Sequence, residues 1–425
     1  MRNRNTLSAA IYAYAGAGRR KAPRIIAGLT KLSVMDLFYK THKYLVEHVN
    51  SPVERELMQE IDWSHRLIGI KGSRGVGKTT FLLQYAKEHF GTDPSCLYIN
   101  LNHLCFTDKT LAQFASDFAA DGGRTLLIDQ VFKYPKWSEE LRYCYDNIPQ
   151  LNIVFTGSSV MRLKEDNPYL SGVARSYNLR GFSFREYLNL MACTDFRSVK
   201  LEELLANHTE IAREITSKVN PYDYFSAYLH HGFYPFFLEK RNFSENLIKT
   251  MNMMMEVDIL FIKQIELTYL SKIRKLLYLL VKDAPCVPNI SKLSKEIHTS
   301  RATVVNYIKY LSEARLVNML YKPGETFPKK PAKVYMHNTN LMYAAGPEEL
   351  DPQAVRETFF YNNLYKDNSV DKGDKNSHFL INGKYRFRIE ASAPKNARKD
   401  ILYAVDGIKT GEGSVIPLWM FGFLY

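Results

Sequence analysis

The sequence predicts an α/β protein whose first large domain is a parallel sheet covered by helices. Five short apolar runs lie at 67–70, 96–100, 125–129, 152–156 and 176–179. Patterns typical of amphipathic helices occur between them, at 80–88, 109–119 and 139–147. Because parallel strands need long crossover connections, this alternation indicates a sheet that is buried on both faces. Ligands bind such sheets at the carboxyl ends of the strands, so functional residues are expected directly after these runs.

The composition fits a soluble globular protein of two or three domains. The chain has 425 residues, of which 46% are hydrophobic and 24% are charged. No run of ~18 apolar residues occurs, so we expect no membrane partner. The five cysteines are scattered without a C-x-x-C pair, at Cys96, Cys105, Cys144, Cys193 and Cys286. Neither a zinc site nor a disulfide framework is indicated, and a cytoplasmic protein is expected.

The positive charge is concentrated in two segments. The chain has a formal net charge of +13, and residues 1–34 contain seven basic and no acidic side chains. Residues 271–345 contain 13 basic and four acidic side chains. The basic leader 1–34 is compatible with a signal peptide or an amphipathic targeting segment. The preferred interpretation is an over-long translation start with Met35 as the first residue, because the first amphipathic pattern begins there and runs to about Val49.

A glycine-rich motif, G-x-x-x-x-G-K-T, directly follows the first apolar run and precedes a helical pattern. This strand–loop–helix context is what a phosphate-binding loop requires. The glycines allow backbone N–H groups to converge on one anion, and the helix N-terminus adds partial positive charge. Lys78 is expected on the β- and γ-phosphates, and the Thr79 hydroxyl on Mg²⁺. The expected nucleotide-binding residues are Gly72, Ser73, Arg74, Gly75, Val76, Gly77, Lys78, Thr79 and Thr80.

Two further strand ends add candidate residues. Asp129 ends the third apolar run, 51 residues after Lys78, where its carboxylate can hold Mg²⁺ through water opposite Thr79. Gln130 follows it at the position where hydrolysing ATPases of this type usually have a glutamate. An amide can hydrogen-bond a water molecule but cannot accept its proton as a carboxylate does, so slow or absent hydrolysis is expected. Thr156 ends the fourth run and is either a γ-phosphate sensor or a turn residue bonded to its own backbone.

The second half of the chain divides into a helical region and a basic segment. Residues 183–270 are helical and rich in aromatic residues, and we expect a lid or connector there. Residues 271–345 resemble a winged helix-turn-helix, with helices at 271–281, 290–297 and 301–311 and a hairpin of 317–321 and 333–336. Arg301, Thr303, Asn306 and Lys309 would face outward on the third helix. The local charge favours contact with DNA phosphates, although such modules also serve only to pack against their neighbours.

From residue 35 onward the chain resembles bacterial AAA-type ATP-binding proteins with a P-loop domain, a winged helix and a C-terminal nuclease-like domain of unknown function. The segments that carry the resemblance are 67–80, 127–137, 155–159, 182–187, 356–360 and 416–419. The resemblance implies a P-loop NTPase domain that binds ATP and Mg²⁺ through Lys78, Thr79 and Asp129. The expected domains are the leader 1–34, a P-loop domain at 35–182, the helical connector at 183–270, the winged helix at 271–345 and an α+β domain at 346–425.

The sequence departs from that family pattern at three places. Gln130 replaces the glutamate, and paired arginines are missing before Ala174, which leaves Arg175 as the candidate arginine finger. A nuclease core of the PD-(D/E)xK type needs Asp, Glu and Lys around one metal. Glu357 is present, but His378 stands at the expected Asp position. Within 387–392 an Arg and a Ser replace the Glu and Lys, and Glu390 is displaced by two residues, so we expect a scaffold that does not cleave.

Two functions remain open from the sequence. The first is a nucleotide-dependent switch that binds ATP and Mg²⁺, hydrolyses ATP weakly or not at all, and contacts DNA or a protein partner through 271–345. The second is an active ATPase that acts in DNA processing or regulation. No guanine-specifying N-K-x-D motif is present, which favours adenine nucleotides. A homo-oligomer is compatible with either function.

Overall fold

The computed structural model describes residues 33–161, 167–239, 242–347 and 349–425. The basic leader therefore lies outside the described residues except for its last two positions. The first helix, α1 (Val34–His48), begins at a capping box in which Ser33 Oγ accepts from Asp36 N and Asp36 Oδ2 accepts from Ser33 N. A short helix, α2 (Glu56–Glu60), leads into the sheet.

A five-stranded, all-parallel sheet forms the α/β domain. Its strands are β1 (Leu67–Gly72), β2 (Cys96–Asn100), β3 (Thr125–Asp129), β4 (Asn152–Ser158) and β5 (Arg175–Asn178). The crossover helices are α3 (Lys78–His89), α4 (Leu111–Ala120) and α5 (Trp137–Asn147). The strand order is β2-β3-β4-β1-β5, and every neighbouring pair is parallel. The predicted fold class is confirmed.

The strands form where the apolar runs predicted them because both faces of the sheet are covered. The side chains of β3 are buried along its whole length, as a strand between two helical layers requires. β1 and β4 each extend two residues beyond the apolar run, to Gly72 and Ser158, and these polar extensions reach the edge where the phosphate loop lies.

The two halves of the helical region pack against different parts of the protein. The helices α6 (Phe184–Ala192), α7 (Leu201–Lys218) and α8 (Tyr222–Ala227) share a core with the C-terminal sheet. Residues 233–260, which include α9 (Phe243–Met253), share a core with the α/β domain and with residues 270–345. A π-helical turn, Met254–Phe261, continues directly from α9. The expected unit 183–270 is thus divided near residue 230.

Three helices and a two-stranded antiparallel hairpin follow, in the order that the sequence predicted. They are α10 (Leu270–Asp283), α11 (Ile290–Glu296), α12 (Arg301–Glu313), β6 (Val317–Leu320) and β7 (Lys333–Met336). A further helix, α13 (Thr339–Ala345), closes this segment. The predicted apolar stripe of α12 is buried, at Val304, Tyr307, Ile308 and Leu311.

The C-terminal part is an α+β unit with a separate sheet. The helix α14 (Pro352–Leu364) packs against strands β8 (Val370–Lys372), β9 (Phe379–Ile381), β10 (Tyr385–Glu390), β11 (Leu402–Val405) and β12 (Val415–Pro417). Strands β10, β11 and β12 are parallel, whereas β8 and β9 are antiparallel to their neighbours. Among the described helices, none is long and apolar enough to cross a membrane.

Candidate functional site

The predicted phosphate loop connects the end of β1 to the start of α3, and its glycines are needed where they stand. Gly75 and Gly77 have φ of 84° and 93°, which L side chains rarely adopt, and Gly77 is the N-cap of α3. A Cβ on Gly72 would lie 2.5 Å from the carbonyl oxygen of Leu179. The loop therefore bends tightly at the carboxyl end of β1, as phosphate binding requires.

The loop offers hydrogen-bond donors that the protein itself leaves unused. Among the described residues, the backbone N–H groups of 74–79 donate to no protein acceptor. Lys78 Nζ donates to the carbonyl oxygens of Gly72 and Ser73, each at 2.8 Å. Burial lowers the pKa of Lys78 to about 8, although the nearby Asp258 and Asp129 carboxylates act in the opposite direction. A polyanion in this loop would accept hydrogen bonds from these N–H groups and would favour the charged form of Lys78.

Asp129 accepts three hydrogen bonds at the tip of β3. Thr79 Oγ1 donates to its Oδ2 at 2.8 Å, Tyr98 OH donates to the same oxygen at 3.0 Å, and Thr156 Oγ1 donates to Oδ1 at 2.5 Å. The structure thus brings the two predicted magnesium residues, Thr79 and Asp129, together. Their oxygen atoms suit a hard cation that keeps several waters and also binds phosphate. In the described part of the chain, no group of three or more His, Cys, Asp or Glu residues could hold a metal by itself.

Gln130 lies beside this network and lines the same cavity. Its backbone is in the left-handed region, with φ of 57°, and its N–H donates to Thr156 Oγ1 at 3.0 Å. Its side-chain Oε1 accepts from Asn102 Nδ2 at 3.4 Å. The one hydroxyl proton of Thr156 goes to Asp129, so in this arrangement Thr156 positions the tips of β3 and β4 and has no proton to offer a phosphate.

The structure does not bring Arg175 to the phosphate loop. Arg175 begins β5 and pairs with Ile68, whereas the loop begins four residues later at Gly72. Four residues along a strand span about 13 Å, so Arg175 lies toward the amino end of the sheet, away from the phosphate edge. Glu140, an acid in the helix that follows Gln130, accepts from Tyr134 OH at 2.9 Å and from Ala112 N at 3.0 Å.

Arg55 supports the phosphate loop from outside, and sequence reasoning missed it. Its guanidinium donates to Val76 O at 3.1 Å, to Gly181 O at 3.2 Å and to Glu186 Oε1 at 3.2 Å. Arg55 is only 6% exposed, so these contacts are made away from water. The nearest sequence signal is the 182–187 segment, which contains Glu186 but does not point to a partner 131 residues earlier.

Asp258 is the second residue that the sequence did not reveal. It lies in the π-helical turn Met254–Phe261, is 4% exposed, and accepts from Arg74 Nε of the phosphate loop at 3.1 Å. On the same side, Phe236 lies against the loop, since a Cβ on Gly75 would be 3.0 Å from its ring. The second half of the helical region therefore covers the phosphate loop directly.

Together these residues enclose a cavity of about 460 Å³. The phosphate loop and strand tips form one wall, and Asn50, Ser51, Pro52, Phe132, Pro235 and Phe236 are among the residues that line the remainder. The volume and the combination of apolar walls with converging polar groups are typical of small-molecule sites. A nucleotide fits this cavity, because its phosphates can lie on the loop and the rest of the molecule can lie against the apolar walls.

The residues expected for a nuclease core in the C-terminal part are engaged with each other and with cations. Glu357 Oε2 accepts from Lys333 Nζ and from Tyr335 OH, each at 2.8 Å. Burial tends to raise the pKa of Glu357, but Lys333 and its other partners hold that pKa below its usual range. Glu390 pairs with Arg388 on the same strand. Lys333 therefore already compensates the negative charge of Glu357.

Comparison with known families identifies the α/β domain that contains the phosphate loop. Residues 64–188 match the family model of an AAA domain. This region is an AAA-type P-loop domain. Residues 222–352 match a domain of unknown function (DUF8612), so that match begins inside the helical region and runs through the segment with the hairpin. The break near residue 230 in the packing of the helical region lies close to this boundary.

Relatives of the whole chain add less about function. An uncharacterized protein of Methanocaldococcus jannaschii is 28% identical over 272 residues, which cover 61% of this chain and 57% of that protein. The chain thus matches little more than half the length of that relative. Solved structures similar to it include AMPPCP-bound DnaA from Aquifex aeolicus, at 16% identity, 65% and 87% coverage and a TM-score of 0.23. PCH-2 of C. elegans matches at 18% identity, 41% and 47% coverage and a TM-score of 0.22. TM-scores this low support no argument about this chain.

The depressed pKa of Lys78 in the AAA domain predicts a pH dependence of stability. Its pKa falls from 10.5 to about 8 on folding, so between these values the unfolded chain binds more protons at this position. Wild-type stability should therefore rise with pH in this window relative to Lys78→Met, which has no titrating amine. Urea unfolding of both proteins from pH 7 to pH 10 measures the difference. If the free energy of unfolding of the wild type, relative to that of Lys78→Met, stays constant or falls above pH 8, Lys78 is not desolvated.

Proposed function

We propose that this chain binds ATP with Mg²⁺ and acts as a nucleotide-dependent switch that hydrolyses ATP slowly or not at all. The observation that carries the proposal is the contact between Arg74 of the phosphate loop and Asp258 of the turn Met254–Phe261. Met254, Ile259 and Leu260 of that turn are buried in the same core as α10 and α12. If the contact of Arg74 with Asp258 is broken, the turn that carries Asp258 can move together with the segment that follows the AAA domain.

The proposed binding mode assigns a role to each predicted residue. The N–H groups of 74–79 and the Lys78 ammonium hold the phosphates, and Thr79 with Asp129 holds Mg²⁺. When bound, Mg²⁺ neutralises phosphate charge and orients the β- and γ-phosphates. Asp129 acts through water, because its oxygens remain anchored by Tyr98 and Thr156.

The switch arises from competition between like charges. Asp258 is a nearly buried carboxylate that lies close enough to Lys78 to influence the pKa of the lysine. It already forms an ion pair with Arg74. A γ-phosphate near Lys78 brings more negative charge to the same place and offers Arg74 a second acceptor. ATP therefore favours an arrangement in which Asp258 and its π-helical turn have moved away from the loop. ATP can shift the equilibrium only by its difference in affinity for the two arrangements.

Slow hydrolysis follows from the groups around the expected water position. Gln130 offers an amide that can orient water without taking its proton. Arg175 is separated from the loop within one chain, so it could contact a phosphate only in a neighbouring copy of a homo-oligomer. The competing proposal, an active ATPase in DNA processing, is favoured by one observation: the carboxylates of Glu239 and Asp258 also line the cavity.

Nucleotide retention and phosphate release distinguish these proposals. We expect the wild-type chain to retain radiolabelled ATP on a filter in the presence of Mg²⁺, and Lys78→Ala to lose retention at least tenfold. Phosphate release by the wild-type chain should be no faster than by Lys78→Ala, whereas Gln130→Glu, which adds a carboxylate beside the expected water, should release phosphate faster. Robust wild-type release that Lys78→Ala abolishes would support the active ATPase. No retention of any adenine nucleotide would reject both proposals.

DNA contact through residues 271–345 is a further part of the proposed function. The three helices and the hairpin fit a winged helix-turn-helix in order and pairing, and Arg301 and Asn306 are exposed on α12. Lys329 and Lys330 are exposed in the loop of the hairpin. Lys309 is less available than the sequence suggested, because it is half-buried and lies 3.8 Å from Glu313. We propose that Arg301 and the hairpin lysines contact phosphates, with the C-terminal domain as a scaffold that does not cleave.

The salt dependence of DNA binding tests this contact. Affinity for a short duplex should fall by roughly tenfold or more between 50 and 200 mM salt, because displaced counterions oppose binding. Arg301→Gln should bind more weakly at low salt and show a shallower salt slope. Arg197→Gln, an equal charge change at an exposed site outside the segment, is the matched control. Affinity that does not depend on salt, or equal losses in the two variants, would show that α12 does not contact phosphate.

A further inference from the structure

A second cavity, of about 150 Å³, lies beside the first two residues of the phosphate loop. Its walls come from the AAA domain, from the segment with the hairpin, and from the end of α14. Among the residues that the structure describes, none lines both this cavity and the nucleotide cavity. The lining residues are Gly72, Ser73, Ser159, Asn178, Leu179, Arg180, Gly181, Phe233, Arg315, His337, Tyr365 and Lys366.

The side chains around this cavity are strongly unbalanced in charge. Arg180, Arg315 and Lys366 line it, and none of the described Asp or Glu residues does. Lys366 is balanced from outside the cavity by Glu60, at 2.5 Å, and by Asp367, at 3.9 Å. Neither arginine forms an ion pair with a carboxylate in the described ranges. The Asp367 carboxylate is close enough to favour the charged form of Arg180, but it forms no ion pair with it, so the positive charge of the two arginines is only partly compensated.

Arg180 is the more deeply placed of the two arginines. Its guanidinium lies 4.4 Å and 4.3 Å from the ring centres of Tyr365 and Tyr425, and Nη2 donates to Asn362 O. Its Nε and Nη1 atoms are buried and have no hydrogen-bond partner in the described part of the chain. A buried guanidinium without a carboxylate is unfavourable, because the interactions with the rings and one carbonyl replace only part of its hydration.

The neutral groups around the arginines also favour a negative ligand. Burial and the adjacent Arg315 and Arg180 hold the pKa of His337 well below its usual range, so its ring is neutral. The ring nitrogens already face Asn318 Oδ1 at 3.0 Å and Tyr365 OH at 3.4 Å. The hydroxyls of Ser73 and Ser159 add small donors to the lining. Guanidinium and hydroxyl donors in a cavity of this size match one tetrahedral oxyanion.

We infer that this cavity binds a free oxyanion of the phosphate class between Arg180 and Arg315. The anion would supply the charge that both arginines lack. It would also connect three parts of the chain, because Ser73 follows β1, Arg315 follows α12 and Tyr365 follows α14. The site is separate from the nucleotide cavity and does not depend on ATP binding.

Calorimetric titration of the full chain with orthophosphate at constant ionic strength tests this inference. The phosphate loop is a second anion site, so each titration is made in both the wild-type and the Lys78→Ala backgrounds. Arg315→Gln removes one arginine that makes no side-chain hydrogen bond in the described structure, and Arg197→Gln is the matched control at an exposed site with no assigned role in anion binding. We expect orthophosphate to bind in the Lys78→Ala background, Arg315→Gln to weaken this binding at least tenfold, and Arg197→Gln to leave it unchanged.

Two further arms sharpen the result. Arg315→Lys keeps the charge without the planar fork and should show an affinity between those of wild type and Arg315→Gln, which a purely structural role for Arg315 would not produce. A short oligonucleotide with a 5′-phosphate should bind no more tightly than its unphosphorylated form to the Arg301→Gln protein. No phosphate binding in the Lys78→Ala background, or equal affinity in Arg315→Gln and Arg197→Gln, overturns the inference. Tighter binding of the phosphorylated oligonucleotide overturns the assignment to a free anion.

Discussion

The ion pair between Arg74 and Asp258 is the interaction on which the proposed behaviour of this protein depends. It joins the phosphate loop to a π-helical turn that is 184 residues away in sequence. Both groups are shielded from water, with side-chain exposures of 25% and 6%. Removing one partner from such a pair leaves a charge with poor solvation, so the pair is either fully made or replaced by another ionic contact. The loop therefore has two distinct states, with and without this ion pair, and a switch requires two such states.

The other side of the phosphate loop is held in a different way. Arg55 binds a loop carbonyl and the 181–186 segment at once, and Glu186 is itself buried by the capping box that starts α6. An incoming phosphate does not compete for these contacts, because Arg55 donates to carbonyl oxygens and to Glu186. The loop therefore has one side that ligand charge leaves in place and one side, at Arg74, that ligand charge can release. Movement is expected on the side of residues 233–261.

The sequence predicted the parts of this structure that depend on local patterns. The strands ending at Gly72 and Asp129 were visible because buried parallel strands are short, continuous apolar runs, and Lys78 and Thr79 were visible because their spacing is dictated by phosphate geometry. The meeting of Thr79 with Asp129 followed from the rule that strand ends share one edge. Domain boundaries in the helical region were less predictable, since Phe184 and Phe233 are both buried aromatics but belong to different cores.

Residues that act through distant partners left no local signal. Asp258 lies in an apolar, methionine-rich stretch that reads as packing, and only the fold shows that its carboxylate faces Arg74. Arg180 and Arg315 are 135 positions apart, and each alone reads as an ordinary surface arginine. Thr156 was predicted as a candidate sensor from its place at a strand end, whereas its hydrogen bonds to Asp129 and Gln130 depend on the neighbouring strand.

The affinity of MgATP for Asp258→Asn, compared with Glu256→Gln, tests the central claim most directly. Both substitutions remove one negative charge from the same π-helical turn, but Glu256 is half-buried and pairs with Arg274 instead of the phosphate loop. If Asp258 competes with phosphate for Arg74 and Lys78, Asp258→Asn should bind MgATP more tightly than wild type, on the order of tenfold. Glu256→Gln should match wild type. Equal affinities in all three proteins, or weaker binding by Asp258→Asn, would contradict the account.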